Sequence, residues 1–364
     1  MIRRLAVGLA LGLLPGCGGG PAEGPVDNRF DQVLVVTSDY QTGSYATVGR
    51  RDRRAVRDIR AIHPDAACRT DPASGAPYLI SRLGADAVER LDPLAGWEVA
   101  LEFSTGAGTN PQDLAVASPG RAYLPLYARP EVLVVDPRDG ARLDGVDLTP
   151  WADGDGSPEA ASALVVDGRV FVTLQRLEDF QPGPPSLLLV LDAASGARVA
   201  EVQLSAANPF ARLRHCPAAG RLVVAEAGTF GALDGGLELI DPEDPRPAGL
   251  AIGEAALGGD VVDAVLLGPD RGYAVVATGG VGTEATTRVV RFDPLAGEVR
   301  AELLAADSYA HAALELSPDG AELWVADRTR EAPGVRVFST VDDGELTAGP
   351  ISTGLPPLGL CFVP

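Results

Sequence analysis

Lysine is absent from this chain of 364 residues, so all 30 basic residues are arginine, set against 50 Asp and Glu. The formal net charge of −20 excludes nucleic acid as a partner, because neutralising phosphates requires a basic surface. An acidic body does not cling to anionic lipid unaided. With Gly and Ala so abundant, the missing lysine reads as genomic base bias, with a saline or acidic-solute niche as the alternative. Histidine is also scarce, at His63, His215 and His311. A zinc centre of three or four ligands could use these three only if the fold brought them to a common axis. No G-x-S-x-G elbow occurs. The glycine runs Gly231–Gly236 and Gly279–Gly282 precede no helix that could receive a phosphate, so they read as turns. Asn208-Pro209-Phe210 is no glycosylation acceptor, since Phe stands where Ser or Thr is needed.

What is present is a repeat. Val135–Gly140 reads V-D-P-R-D-G, and L-D-P-L-A-G, L-D-A-A-S-G, I-D-P-E-D-P and F-D-P-L-A-G begin at Leu91, Leu191, Ile240 and Phe292. The shared Asp recurs at 92, 136, 192, 241 and 293, giving gaps of 44, 56, 49 and 52. A period of roughly 50 is that of a four-stranded propeller blade. Each unit carries short apolar strands punctuated by Gly, Asp and Pro turns, as antiparallel hairpins do. High Gly (43) and Pro (30) suit many tight turns.

The fold expected is all-β: a seven-bladed β-propeller of four-stranded antiparallel blades. Six blades fall at roughly 62–105, 110–152, 158–206, 209–255, 259–305 and 309–354. The seventh is assembled from both ends. Leu358–Val363 serves as its first strand, and Gln32–Val36, Ser44–Val48 and Ala55–Ile59 serve as its second, third and fourth. Closing the ring in this way removes exposed sheet edges. A closed propeller needs no second copy, so a monomer is the default.

Met1–Leu14 carries Arg3 and Arg4 ahead of an apolar run from Leu5. The run is shorter than the ~20 residues of a bilayer span and fits a signal-peptide core. It ends in Leu14-Pro15-Gly16-Cys17, which resembles the bacterial lipobox and implies cleavage before Cys17 and its lipidation. Pro15 departs from the usual small or aliphatic residue of that motif. An ordinary secretory signal with an incidental Cys is the other reading. The organisation expected is a leader over 1–16, a lipidated Cys with a Gly/Pro tether over 17–29, and one propeller domain over 30–364. Removing 1–16 takes away two Arg and no acid, so the charge moves from −20 to −22. The implied address is the cell envelope, on the periplasmic face or the cell surface, at the outer membrane, with lipid as the only membrane contact. Cys68 and Cys361 fall in neighbouring blades, so a disulfide between them is permitted in an oxidising compartment. Three buried small hydrophobes, Cys216 included, is the alternative.

Asn110-Pro111-Gln112-Asp113, Ser317-Pro318-Asp319-Gly320 and the D-P-x-x-G set together resemble the YVTN-type seven-bladed propellers. That resemblance covers the body from about residue 30 and specifies fold better than function, since such propellers include binding proteins, ring-opening hydrolases and lyases. Ser104-Thr105-Gly106, Asp153-x-Asp155-Gly156-x-x-Glu159, Leu174-Gln175-Arg176-Leu177 and Asn208-Pro209-Phe210 are similar to a group of bacterial lipoprotein propellers, which implies fold and address but no chemistry.

Propeller ligands sit at the mouth of the central channel. Counting back from each turn selects Asp65, Gln112, Glu159, Phe210, Val262, His311 and Pro357 as channel-facing. Asp113, Gln175, Arg176 and Asn208 join them as candidate ligand contacts, since Arg can hold a carboxylate in a bidentate pair. Asp153, Asp155 and Glu159 form an oxygen-rich loop suited to a divalent cation such as calcium or magnesium. The loop is no EF-hand, because Pro158 stands where Gly is required. Asp155 and Glu159 could equally pair with Arg176.

Two functional expectations follow. One is a non-catalytic binding or interaction module for a small molecule, glycan or envelope protein. The other is a propeller enzyme of the lactonase or lyase kind. It would use Glu159 and His311 as acid and base, with Asp65 or Asp155 orienting them or holding a metal.

Overall fold

The computed structural model describes residues 31–279 and 285–363. The leader, Cys17, the tether and Gly280–Gly282 lie outside the described residues. Seven antiparallel sheets form the ring. The six internal blades begin with Ala66–Thr70, Ala115–Ser118, Ala160–Val166, Arg214–Cys216, Asp260–Gly268 and His311–Leu316, and we number them 1 to 6 in that order. Blade 6 completes its outer edge with isolated bridges, Val335 to Ile351 and Phe338 to Glu345. Blade 7 is the expected closure: Pro357–Val363 lies against Gln32–Ser38, followed by Gly43–Gly49 and Ala55–Ile62. Gln32 pairs with Val363 and Leu34 with Cys361.

The recurrent Asp explains the turns between third and fourth strands. Its carboxylate accepts the N–H groups that the turn leaves unpaired: Leu94 and Ala95 donate to Asp92 at 2.9 and 3.3 Å, and Leu295 and Ala296 to Asp293 at 3.0 Å each. The closing Gly then takes a left-handed φ, 74° at Gly140 and 75° at Gly196, which costs Gly little. These turns also join the blades. The Tyr78 hydroxyl donates to Pro137 O at 3.5 Å, Tyr123 to Ala193 O at 3.0 Å, and Tyr273 to Asp343 at 2.9 Å. In each case a tyrosine of one blade holds the outer turn of the next.

Second strands are buried almost end to end, as in Arg121–Leu126 and Arg169–Leu174, because each blade is packed on both faces. Outer strands alternate instead, as in Glu98–Ser104. Near the axis, Asp113 Oδ1 accepts from Leu114 N at 2.7 Å in its own blade, while Oδ2 accepts Ser162 Oγ at 2.6 Å and Ala163 N at 3.1 Å in the next. Asp263 repeats this clasp between blades 5 and 6, taking Ala264 N at 2.9 Å and Leu314 N at 2.8 Å.

Cys68 and Cys361 form a disulfide across the closure, with Cα atoms 6.1 Å apart and 293 residues between them in sequence. Of the two readings left open by the sequence, this is the one the fold adopts, while Cys216 stays buried and free. The bridge ties blade 7 to blade 1 beside the Thr70 hydroxyl, which donates to Phe362 O at 2.7 Å. Cys361→Ser is expected to lower stability by about 2–5 kcal/mol. In calorimetry, reductant should bring wild type down to the variant's Tm and leave the variant unmoved; an equal response of both would contradict the bridge.

Candidate functional site

The channel has two ends. At one, which we call the front, the chain enters each first strand and second strands turn into third. At the other lie the hairpins between first and second strands. A cavity of about 470 Å³ occupies the front half, and one of about 500 Å³, lined by Pro217 and Asp319, occupies the rear. Both are lined by Arg212, Arg214 and Glu315, which form the waist.

The waist is a paired ion network. Glu315 accepts from Arg212 at 3.1 Å and Arg214 at 2.8 Å, and Asp263 accepts from Arg214 at 3.0 Å. Arg69 pairs with Asp113. Burial and the neighbouring Arg69 and Arg214 pull Arg212 down to about 10, only partly offset by Glu315. Burial pushes the Asp113 carboxyl up, but Arg69 and Arg212 outweigh it and hold it below the usual range. Asp113 is wholly buried with its oxygens committed to the clasp. Its expected role as a ligand contact is therefore corrected to a structural one.

Of the other residues selected from sequence, Gln112, Gln175, Asn208, Phe210 and Val262 line the front cavity. Asp65, Asp153, Asp155, Glu159, Arg176, His311 and Pro357 do not. Asp65 holds Arg82, a cavity residue, which donates to Gln112 Oε1 at 3.1 Å, and Gln112 in turn donates to Asn110 Oδ1 at 2.8 Å. Arg176 donates to the carbonyls of Trp151 at 3.1 Å and Pro185 at 2.9 Å. The pairing of Arg176 with Asp155 or Glu159 gives way to this backbone tie. The count that aligned Glu159 with Gln112 and Phe210 is out of step. Asn110, Glu159 and Asn208 are the equivalent corners, with φ of 49°, 46° and 57°, and their carbonyls receive Tyr127, Gln175 and Ala227 N–H.

Glu159 and His311 lie in blades 3 and 6, and neither lines the front or the rear cavity. Burial holds the Glu159 carboxyl up to about 8, although Leu177 N donates to it at 2.8 Å. The His311 ring sits 3.1 Å from Thr287 Oγ1, and burial lowers its pKa against the pull of Asp327. Asp153, Asp155 and Glu159 do come together: one oxygen of each lies within 4.8 Å of the others. Asp153 Oδ2 accepts no hydrogen bond there. These three are the residues that could hold a hard cation.

Apart from Phe210, sequence reasoning missed the rim. Tyr40, Phe180, Phe210, Phe230 and Tyr309 are 70, 79, 47, 45 and 43 % exposed, and they are the exposed aromatics among the described residues. All five lie at the front, in loops between second and third strands or before first strands. Phe210 and Phe230 meet edge to face, centroids 5.4 Å apart, and with Phe180 they border the front cavity. The available signal was an isolated aromatic in each polar or glycine-rich loop, as in S-D-Y-Q-T and G-T-F-G.

Behind this rim, Glu226 and Glu238 are fully buried side by side in blade 4. They accept the N–H groups of Ala206 and, at 2.9 Å, Ser205, so they hold the crossover that leads to Asn208 and Phe210.

No known sequence family matches the chain, and no curated relative matches it. Solved structures do. A hydrazine synthase from Kuenenia stuttgartiensis matches at TM-score 0.60 and 16 % identity, over 83 % of this chain and 92 % of that one. A functionally unknown protein from Desulfotomaculum acetoxidans matches at 0.59 and 12 %, over 92 % and 100 %. A putative 6-phosphogluconolactonase from Bacteroides uniformis matches at 0.58 and 15 %, over 90 % and 98 %. At such identities the likeness establishes the fold alone, a propeller that serves unrelated functions.

Two outcomes follow from the buried charges. Asp113→Ala leaves Arg69 buried without its partner and should cost about 3–5 kcal/mol in urea denaturation, whereas loss of the partly exposed Asp65–Arg82 pair should cost about 1 kcal/mol or less. Burial, then the neighbouring Glu238, raises Glu226 from 4.5 to about 10. The folded state thus keeps a proton that the unfolded chain releases at lower pH. This contribution is fully favourable below pH 4.5 and erodes as pH rises toward about 10. Glu226→Gln removes the titration and keeps a donor, so it should be more stable than wild type at pH 9 and lose that advantage near pH 4.

Proposed function

We propose that this chain is a non-catalytic binding module of the cell envelope, tethered through lipid on Cys17, which takes its ligand at the front mouth of the channel. The observation that carries this reading is the segregation of every exposed aromatic among the described residues to the front face, where Phe180, Phe210 and Phe230 border a cavity of about 470 Å³. An exposed apolar patch at a cavity mouth, rimmed by polar residues, marks a binding site. The cavity volume suits a small ligand or the end of a longer one. The envelope address rests on Leu14-Pro15-Gly16-Cys17 and its resemblance to the lipobox, in keeping with a disulfide across the closure.

A second reading, a cation-dependent enzyme, is favoured by one observation, the convergence of Asp153, Asp155 and Glu159. The two separate in one experiment. Wild type, Glu159→Gln and a Phe210→Ala/Phe230→Ala double variant are screened by thermal shift and native mass spectrometry against small metabolites and oligosaccharides, with and without added calcium and magnesium. The binding-module reading expects compounds that raise the wild-type Tm by several degrees, remain chemically intact and leave the double variant unshifted. Compounds that shift both proteins alike, or are turned over only when a divalent cation is present and Glu159 is intact, would overturn it.

A further inference from the structure

Resting on the binding reading above, we propose that the ligand is a neutral carbohydrate, held by its terminal unit in the front cavity with its apolar ring face on Phe210 and Phe230.

The argument begins with charge. Each arginine lining the front cavity has a carboxylate partner: Arg69 with Asp113, Arg82 with Asp65, Arg212 with Glu315, and Arg214 with Glu315 and Asp263. A cavity whose cations are already paired offers an anionic ligand no free partner. The net charge of −20 also repels anions at long range. A cationic ligand would find Asp263 and Glu315 engaged in the same way. What remains for a ligand is neutral hydrogen-bonding chemistry.

The structure supplies that chemistry. Gln112, Gln175 and Asn208 bring side-chain amides to the lining; Gln112 bonds Arg82 and Asn110 and Gln175 donates to Pro209 O at 3.4 Å, but an amide has two lone pairs and two N–H groups, so each keeps capacity for a ligand. Asn208 is only 3 % exposed; its Nδ2 donates to Gly228 O at 3.3 Å, while Oδ1 accepts no hydrogen bond. A buried acceptor without a donor is costly; Oδ1 has no exposed surface, so a ligand hydroxyl relieves it as the Asn208 amide turns toward the cavity that the residue lines. Sequence had singled out Asn208-Pro209-Phe210. The fold shows what the run does, placing an orphan acceptor two residues from a half-exposed aromatic ring.

The apolar half of the recognition is equally specific. Phenylalanine has no polar tip, so Phe180, Phe210 and Phe230 present hydrocarbon to solvent. A sugar ring carries C–H groups on one face and hydroxyls at its edge, so it can lie on a phenyl ring while its hydroxyls reach amides and carbonyls. The edge-to-face pair of Phe210 and Phe230 fixes two walls for such a ring. Phe180, the most exposed of the three at 79 %, stands where a following unit would leave the cavity. A purely apolar ligand would leave Asn208 Oδ1 unsatisfied.

The test uses the full chain purified in detergent, on an array of neutral and acidic oligosaccharides, followed by calorimetric titration with the best neutral one. Binding to neutral glycans is expected. Phe210→Ala and Phe230→Ala should each weaken it by about tenfold or more, as loss of an aromatic anchor does, and Asn208→Leu should do likewise. Phe180→Ser tests the rim without touching the core, so folding failure of an inner variant does not leave the matter open; a severalfold loss is expected there. Binding confined to sulfated or sialylated glycans would overturn the proposal. So would a neutral-glycan affinity that none of these variants alters. No glycan binding, together with Phe210-dependent binding of a non-carbohydrate metabolite or cross-linking of a protein at residue 180, would overturn the carbohydrate assignment and leave the mouth as a binding site. Loss of all Phe210-dependent binding would sink both.

Discussion

The structure depends on closing a ring. A blade alone is a small twisted sheet with two apolar faces, and it is stable only between neighbours. The pairing of Gln32–Ser38 with Pro357–Val363 gives the first and last repeats the neighbours they would otherwise lack. Every other contact between blades presupposes that closure: the tyrosines that hold the next outer turn, the aspartates that clasp the next first strand, and the disulfide that locks the seam. The front cavity exists because the first strands are held at a common distance from the axis.

The ring also governs the electrostatics. An acidic chain with no lysine meets two constraints in one fold. Its carboxylates serve as structural acceptors wherever backbone N–H groups would otherwise be buried unpaired, as Asp86 does for Gly108 and Asn110 at 2.7 and 2.8 Å. Four of its arginines, Arg69, Arg82, Arg212 and Arg214, turn inward to the axis, where a planar head can engage more than one acceptor. Arg214 touches Asp263, Glu315 and the Leu314 carbonyl at once. The net negative charge is left to the exterior.

Most of the fold was legible in the sequence, because local chemistry determines the turns. An Asp that caps a turn and a Gly that relieves it recur at fixed places, and the strands between them follow. The seam was legible too, down to Leu358–Val363 acting as a first strand. The site was legible only in part. Gln112, Gln175, Asn208 and Phe210 stand next to regular elements and were placed near the channel. Phe180 and Phe230 stand in loops of irregular length, where periodicity gives no position. The corner at Glu159 was misaligned because the loops before each first strand differ in length, so counting from the far turn slipped. The waist was invisible: Arg212 and Glu315 lie 103 residues apart, and nothing local to either names its partner.

The pairing of Gln32 with Val363 has one further meaning. Both positions lie at the hairpin end of blade 7, opposite the aromatic rim. Anything joined to the chain before Asp31 or after Val363 therefore takes hold of the propeller by its back. A leash attached there leaves the mouth pointing outward. A lipid on Cys17 would therefore leave the front face unobstructed by its own leash.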